Sequence, residues 1–194
     1  MDDELRSFAN TLIEAASEIA LNEEVGPLFV IQVQRNGKLD KLMMPLARSP
    51  LDWGSDFEKD RTRRVCRALV DVLKPVRVAL VAEAWIASAQ PGETSIASVR
   101  QRPSEREDRR EAITVWAQEP GRMLSLMCEI ERREGQPTKL GEILGGNPGD
   151  RYKLAPGHDF YDAAGLGPLD YFIASMLSEV PQETLLRESG DAAS

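Results

Sequence analysis

Apolar residues return at spacings of three and four near the start of the chain: Leu5, Phe8, Leu12, Ala16 and Ile19. That period predicts an amphipathic helix over 4–21, with Asp2 or Asp3 placed to cap it and Gly26-Pro27 to end it. The period then drops to two. Residues 28–35 and 38–46 alternate on either side of Asn36-Gly37, the strongest short hairpin signal. A two-residue turn fixes the register and sets Arg35 opposite Lys38, Val33 opposite Asp40, Ile31 opposite Leu42 and Phe29 opposite Met44. One face is then Phe29, Ile31, Val33, Leu42 and Met44, a core face. The other carries Gln32, Gln34 and Lys41, with Val30 and Met43 farther out, and is expected to be partly wet.

Ser55-Asp56-Phe57-Glu58 forms a capping box and opens a second helix that Pro75 closes. Its stripe is Phe57, Val65, Ala68, Leu69, Val72 and Leu73, and Arg61, Arg63, Arg64 and Arg67 occupy much of the rest. Residues 76–88 read as a long strand, apolar over much of both faces and therefore central in its sheet. Residues 89–111 lose periodicity, and a loop of that length is functional or mobile. Alternation resumes over 112–118 and 122–132, joined by a turn at Glu119-Pro120-Gly121. A short strand is expected near 138–143. Residues 150–167 are irregular, and 168–177 suit a short helix with Leu169, Phe172, Ile173 and Met176 inward.

This order predicts an α+β fold: a two-layer domain with an antiparallel sheet of about five to six strands and two main helices on one face. The domain is expected to span 1–178, followed by an acidic, flexible tail over 179–194.

Composition narrows the function more than it names it. The 194 residues include 24 basic and 32 acidic side chains, a formal charge of −8. The acidic excess sits at the two ends and leaves the interior close to neutral. That distribution argues against sequence-independent nucleic-acid binding and against anionic membranes. No segment approaches the apolar length of a membrane helix, and the N-terminus does not resemble an export signal. Two cysteines in apolar-periodic segments, Cys66 and Cys128, fit a reducing cytoplasm as small core residues.

The same arithmetic removes several chemistries. One histidine, His158, and two distant cysteines do not make a zinc set. A nucleophilic triad would need that histidine as its base. No phosphate-binding or dinucleotide-binding glycine motif follows a strand, so no cofactor and no metal is expected. The remaining constellation is Glu83 and Trp85 on the strand 76–88, with Asp108, Arg109 and Glu111 at the end of the loop. A carboxylate at half-buried strand depth needs a cation. Arg109 or Arg110 pairing with Glu83, and so pinning the loop to the sheet, is the first expectation. A divalent site on Glu83, Asp108 and Glu111 is the second.

The strand Leu80-Val81-Ala82-Glu83-Ala84-Trp85, followed by Pro103-Ser104-Glu105-Arg106-Glu107-Asp108-Arg109-Arg110-Glu111-Ala112, resembles a pattern in bacterial and phage-associated proteins of no assigned function. There a strand ending in Glu-Ala-Trp precedes Pro-Ser-x-x-x-Asp-Arg-x-Glu and another strand. The resemblance spans about residues 76–132. It implies strand, loop and strand, and assigns no chemistry.

Two functions are expected from these residues. One is a cytoplasmic, non-enzymatic binding or assembly protein, a homodimer, with Met43, Val30, Trp85 and Trp116 near the less covered sheet face. The other is a small enzyme or ligand-binding domain using the carboxylates and arginines of 76–88 and 89–111.

Overall fold

The computed structural model describes residues 3–46, 56–87, 105–145 and 159–179. The elements run α1 (Glu4–Ala20), β1 (Leu28–Arg35), β2 (Lys38–Pro45), α2 (Asp56–Leu73), β3 (Arg77–Ile86), β4 (Arg110–Glu119), β5 (Arg122–Glu131), β6 (Lys139–Gly145) and α3 (Pro168–Glu179). All six strands join one antiparallel sheet in the order β2-β1-β3-β4-β5-β6. The class is α+β. The capping box at Ser55, His158 and the tail beyond Glu179 lie outside the described residues.

Turn chemistry sets the sheet. Asn36 and Gly37 both take positive φ, 52° and 77°, as the two-residue turn of a right-twisted hairpin demands. The four hairpin pairs expected from that turn are all present. Pro120-Gly121, with Gly121 at φ 74°, pairs Glu119 with Arg122 and fixes the β4–β5 register. β3 lies between β1 and β4, the central place that its apolar faces predict.

The helices do not share a face. Leu5, Phe8, Leu12, Ile13 and Ala16 of α1 pack on Val30, Ala79, Val81, Ile113, Val115 and Leu126. Val65, Cys66, Ala68 and Leu69 of α2 pack on Phe29, Ile31, Val78 and Leu80. Neighbouring residues along a strand point to opposite faces, so Val30 and Phe29 report two separate cores. The fold is thus three layers rather than the expected two. The hairpin face expected to be partly wet is so at its turn end, where Gln34 and Lys41 are exposed, whereas Val30 at its far end is buried beneath α1 and Gln32 is buried as well. The reason is size: each strand of the sheet centre carries large aliphatics on both faces, and one helical layer can cover only one of them.

Polar contacts fasten α1. Asp3 caps its N-terminus by accepting from Arg6 N and also binds Arg122 at 2.8 Å. Arg77, buried on the same face, reaches Gln32 at 3.0 Å, Glu119 at 3.3 Å and Glu4 of the helix.

On the other face, α3 packs on α2 and not as its apolar pattern predicts. Ala174 and Asp170 are buried, Tyr171, Ile173 and Leu177 are half-buried, and Leu169, Phe172 and Met176 point outward. Polar anchors decide the rotation. Asp170 accepts a forked pair from Arg64, Nη2 at 2.7 Å and Nε at 3.2 Å, and the Tyr171 hydroxyl donates to Asp71 at 2.9 Å.

Candidate functional site

β3 and β4 run side by side with Glu83 level with Ile113 and Trp85 level with Glu111. Glu83, Trp85 and Glu111 therefore lie on one face, the face that α1 covers, at the end of the sheet where α1 finishes. This register brings the expected carboxylates together.

The cation between them is Arg132, which the residue pattern did not single out. It stands just beyond β5. Its guanidinium meets both oxygens of Glu83, Nη2 to Oε1 at 2.8 Å and Nη1 to Oε2 at 3.1 Å. The same Nη1 lies 2.9 Å from Glu111 Oε2. Nη2 also donates to the carbonyls of Ala20 and Glu23, each at 3.4 Å. Hydrogen bonding to Glu83, followed by that to Glu111, raises the Arg132 pKa further above its ordinary value.

Glu83 has a second task. Its Oε1 accepts the Val25 N–H at 2.8 Å, and its own N–H donates to the Val25 carbonyl at 3.3 Å. Val25 follows α1 and precedes β1. One strand carboxylate and one arginine therefore clasp the α1–β1 connection to the sheet. The Glu83 side chain is 13 % exposed, so its charge is held largely out of water and depends on this pairing.

The first expectation for Glu83 is corrected. Neither Arg109 nor Arg110 pairs with it. Arg110 is level with Ile86 on the opposite face and binds Glu129 across to β5. Arg109 lies just before β4 and places its guanidinium 4.8 Å from the ring centre of Trp85. The second expectation fails on geometry as well. Asp108 turns to Arg106, accepting at 2.9 and 2.8 Å, while Glu83 and Glu111 share Arg132. Among the described residues no group of three potential ligands converges on a metal position.

Arg132 was within reach of the sequence. The turn at Pro120-Gly121 pairs Glu119 with Arg122, so Glu111 meets Ile130. Arg132 is two residues farther along and on the same face. The expected grouping of Trp85 and Trp116 on one face does not hold. Trp116 is level with Leu80, which packs with α2, and Trp85 lies on the α1 face.

Two further groups are buried without obvious chemistry. Cys66 is buried in the α2 core, and desolvation pushes its thiol well above the ordinary range, so it is held as inert thiol. Arg67, 7 % exposed on α2, donates to the carbonyls of Asp162 and Ala164, the latter at 2.8 Å, and so holds the irregular segment before α3.

Among the described residues no helix is long and apolar enough to cross a membrane. Compared with family models, curated proteins and solved structures, the chain matches none.

Proposed function

We propose that this protein is a non-enzymatic binding or assembly protein of the cytoplasm that acts as a homo-oligomer. One observation carries the reading: the five candidate residues are engaged with their own chain. Glu83 and Glu111 hold Arg132, Asp108 holds Arg106, and Arg109 covers Trp85. Side chains committed in this way act as a clamp. A catalytic carboxylate or a ligand-binding arginine needs a free lone pair or N–H directed at a cleft.

The competing reading, a small enzyme or ligand-binding domain at the Glu83–Glu111 cluster, makes a different prediction. It requires that an anion or a divalent cation displace part of the clamp. Native mass spectrometry with a thermal-shift panel of magnesium, manganese, phosphate and citrate separates the two. The expected result is an oligomer without added mass and a melting temperature that none of the four changes. Glu83→Gln should lower the melting temperature equally with and without each additive. A bound mass that disappears in Glu83→Gln, or a melting shift lost in that variant, would overturn the assembly reading.

A further inference from the structure

The chain has four asparagines, each before a different neighbour: Asn10 before Thr11, Asn22 before Glu23, Asn36 before Gly37 and Asn147 before Pro148. An asparagine side chain is open to attack by the backbone nitrogen of the next residue, which closes a five-membered imide. That nitrogen must have a proton to lose, must not be tied up in a hydrogen bond and must be unhindered. Pro148 has no N–H. Thr11 lies inside α1, where the backbone N–H serves the helix, and its side chain is β-branched. The Glu23 N–H donates to the Ile19 carbonyl at 3.0 Å. Gly37 differs from all three. It stands in the turn closed by Arg35 and Lys38, and among the described residues no group accepts from its N–H. Both Asn36 and Gly37 are exposed, and a side chain placed on Gly37 would meet nothing within 4 Å.

The backbone is also part-way to the imide. Ring closure puts Cβ, Cα and the carbonyl carbon of Asn36 nearly in one plane with the Gly37 nitrogen, which in an L residue means a ψ of about −120°, the value at the first central position of a type II′ turn. Asn36, at φ 52°, already has the positive φ of that position. The present turn has both φ positive, and it differs from type II′ by a flip of the peptide plane between Asn36 and Gly37. The flip takes Gly37 from φ 77° to a negative φ, which glycine adopts as readily. Both turn types join two-residue hairpins, so the β1–β2 pairs can stay in place while the ring closes. Charge helps as well. Arg35 and Lys38 flank the turn, both exposed, and nearby cations favour the anionic nitrogen that attacks.

We propose that Asn36 is a site of spontaneous covalent modification, deamidated through this imide with water as co-reactant. The Gly37 nitrogen loses its proton and bonds to Asn36 Cγ, and the side-chain nitrogen leaves as ammonia. Water then opens the ring at one of its two carbonyls. Opening at Cγ breaks the new bond and leaves an aspartate on an ordinary backbone. Opening at the main-chain carbonyl breaks the original peptide bond. The chain then runs through Cγ as a β-aspartyl linkage, one carbon longer, with a free α-carboxylate. Either product adds one negative charge between Arg35 and Lys38. Asp-Gly is itself a favoured turn of this kind, so the first product keeps the hairpin. The second adds a backbone atom to a turn that sets the register. β2 is an edge strand paired with β1 alone, so the β-aspartyl form loosens it from the turn end. This modification is independent of the assembly reading.

Incubation of the full chain in mildly alkaline water enriched in oxygen-18, followed by peptide mass mapping, tests this. The folded chain should take up one heavy oxygen at residue 36, in both the aspartyl and the β-aspartyl form. A parallel sample in guanidinium chloride gives the unfolded rate, and the folded rate should lie within about tenfold of it, a difference of about 1.4 kcal/mol in barrier. Asn10 and Asn22 should stay unlabelled in the folded chain. Asn36→Gly keeps a favoured turn pair and should take up no label there. Asn36→Asp should melt with the native chain. The aged native chain, rich in the β-aspartyl form, should exchange its amide hydrogens at Lys38, Leu39 and Asp40 faster than that variant. A folded chain left unlabelled at Asn36 while the denatured chain reacts would overturn the proposal, as would equal labelling of Asn22. Label without the β-aspartyl form would overturn the imide route. Unchanged exchange in the aged chain would overturn the loosening of β2 alone.

Discussion

Arginine clamps hold irregular chain on both faces of the sheet, and they are built in opposite ways. On the α1 face the carboxylates belong to strands: Glu83 to β3 and Glu111 to β4, with Arg132 arriving just past β5. What they hold is the stretch from Ala20 to Val25. On the α2 face the arginines belong to a helix, Arg64 and Arg67, and their acceptors come from residues 162–170. A sheet fixes its residues by register, so the first clamp follows from the β3–β4 pairing and from the turn that joins β4 to β5. A helix fixes its residues only relative to each other, so the second depends on how α2 and α3 settle together. The first is a network of charges around one cation. The second spreads over two cations, Arg64 on Asp170 and Arg67 near Asp162, and Arg67 also binds backbone carbonyls, which carry no sequence signature.

The contrast is sharpened by removing the cation from each. Arg132→Ala should be the more damaging change. It leaves Glu83 and Glu111 facing each other without a counter-charge, and Glu83 is largely buried. Breaking such a pair by deleting one partner costs about 3 kcal/mol. Arg132→Lys should recover only part of that, because an ammonium cannot serve two carboxylates in the planar, bidentate manner of a guanidinium. Arg67→Ala removes hydrogen bonds to two carbonyls, an ion pair to Asp162 at 3.6 Å and a buried stem, and should cost about 2 kcal/mol. Urea unfolding of the three variants measures the order. Equal losses for Arg132→Ala and Arg67→Ala would mean that the two carboxylates on Arg132 contribute no more than the carbonyls and the single, more distant carboxylate on Arg67.

How far each region could be read from the residues follows from the same difference. The hairpin pairs, the central place of β3 and the turn at Pro120-Gly121 were legible, because positive-φ turns and period-two alternation are local signals. Alternation puts Glu83 and Trp85 on one face, but Glu111, expected at the end of the loop, belongs to β4 and meets them through the β3–β4 register. Arg132 was missed, although the register already placed it beside them. The layer count is not legible in the same way, because alternation tells which residues share a face, not which helix covers it. Apolar periodicity alone does not give the orientation of α3. Asp170 and Tyr171 outweigh Leu169 and Phe172 through partners on α2, Arg64 and Asp71, and those pairings appear only once the two helices are packed.

Acid titration probes the second clamp at a smaller scale. Hydrogen bonds from Arg64 hold the Asp170 carboxyl below the usual range. A carboxyl whose folded pKa is depressed contributes stability that is complete above its unfolded value, about 3.9, and that is lost as the pH falls through the folded value. Asp170→Asn should therefore cost about 1.5 kcal/mol at neutral pH. The gap between variant and native chain should then close below about pH 4. Denaturant unfolding at pH 7, 4 and 3 follows that closure. A gap that stays constant with pH would mean that the Asp170 charge is irrelevant and its shape alone matters.

The smallest effect belongs to the rim of the first clamp. Arg109 lies over the Trp85 ring at 4.8 Å, and both side chains are exposed. An exposed cation–π contact contributes about 0.5 kcal/mol, so Arg109→Ala should barely change the unfolding midpoint. Its trace should be optical. Trp85 loses the cation over its ring and meets more water, so the indole emission should shift to the red and its quenching by iodide should change. In Trp85→Phe the substitution of Arg109 should leave both signals unchanged, which assigns them to this ring. The result also weighs on the two functional readings. If Arg109→Ala costs as little as expected and the clamp at Arg132 costs several times more, the stabilising interactions lie in the buried pair that fastens the α1–β1 connection, and the exposed rim adds little to the fold. If Arg109→Ala were instead as costly as Arg132→Ala, the loop end and the clamp would form one cooperative unit. The carboxylates would then be coupled to a surface cation that a ligand can reach, as the ligand-site reading requires.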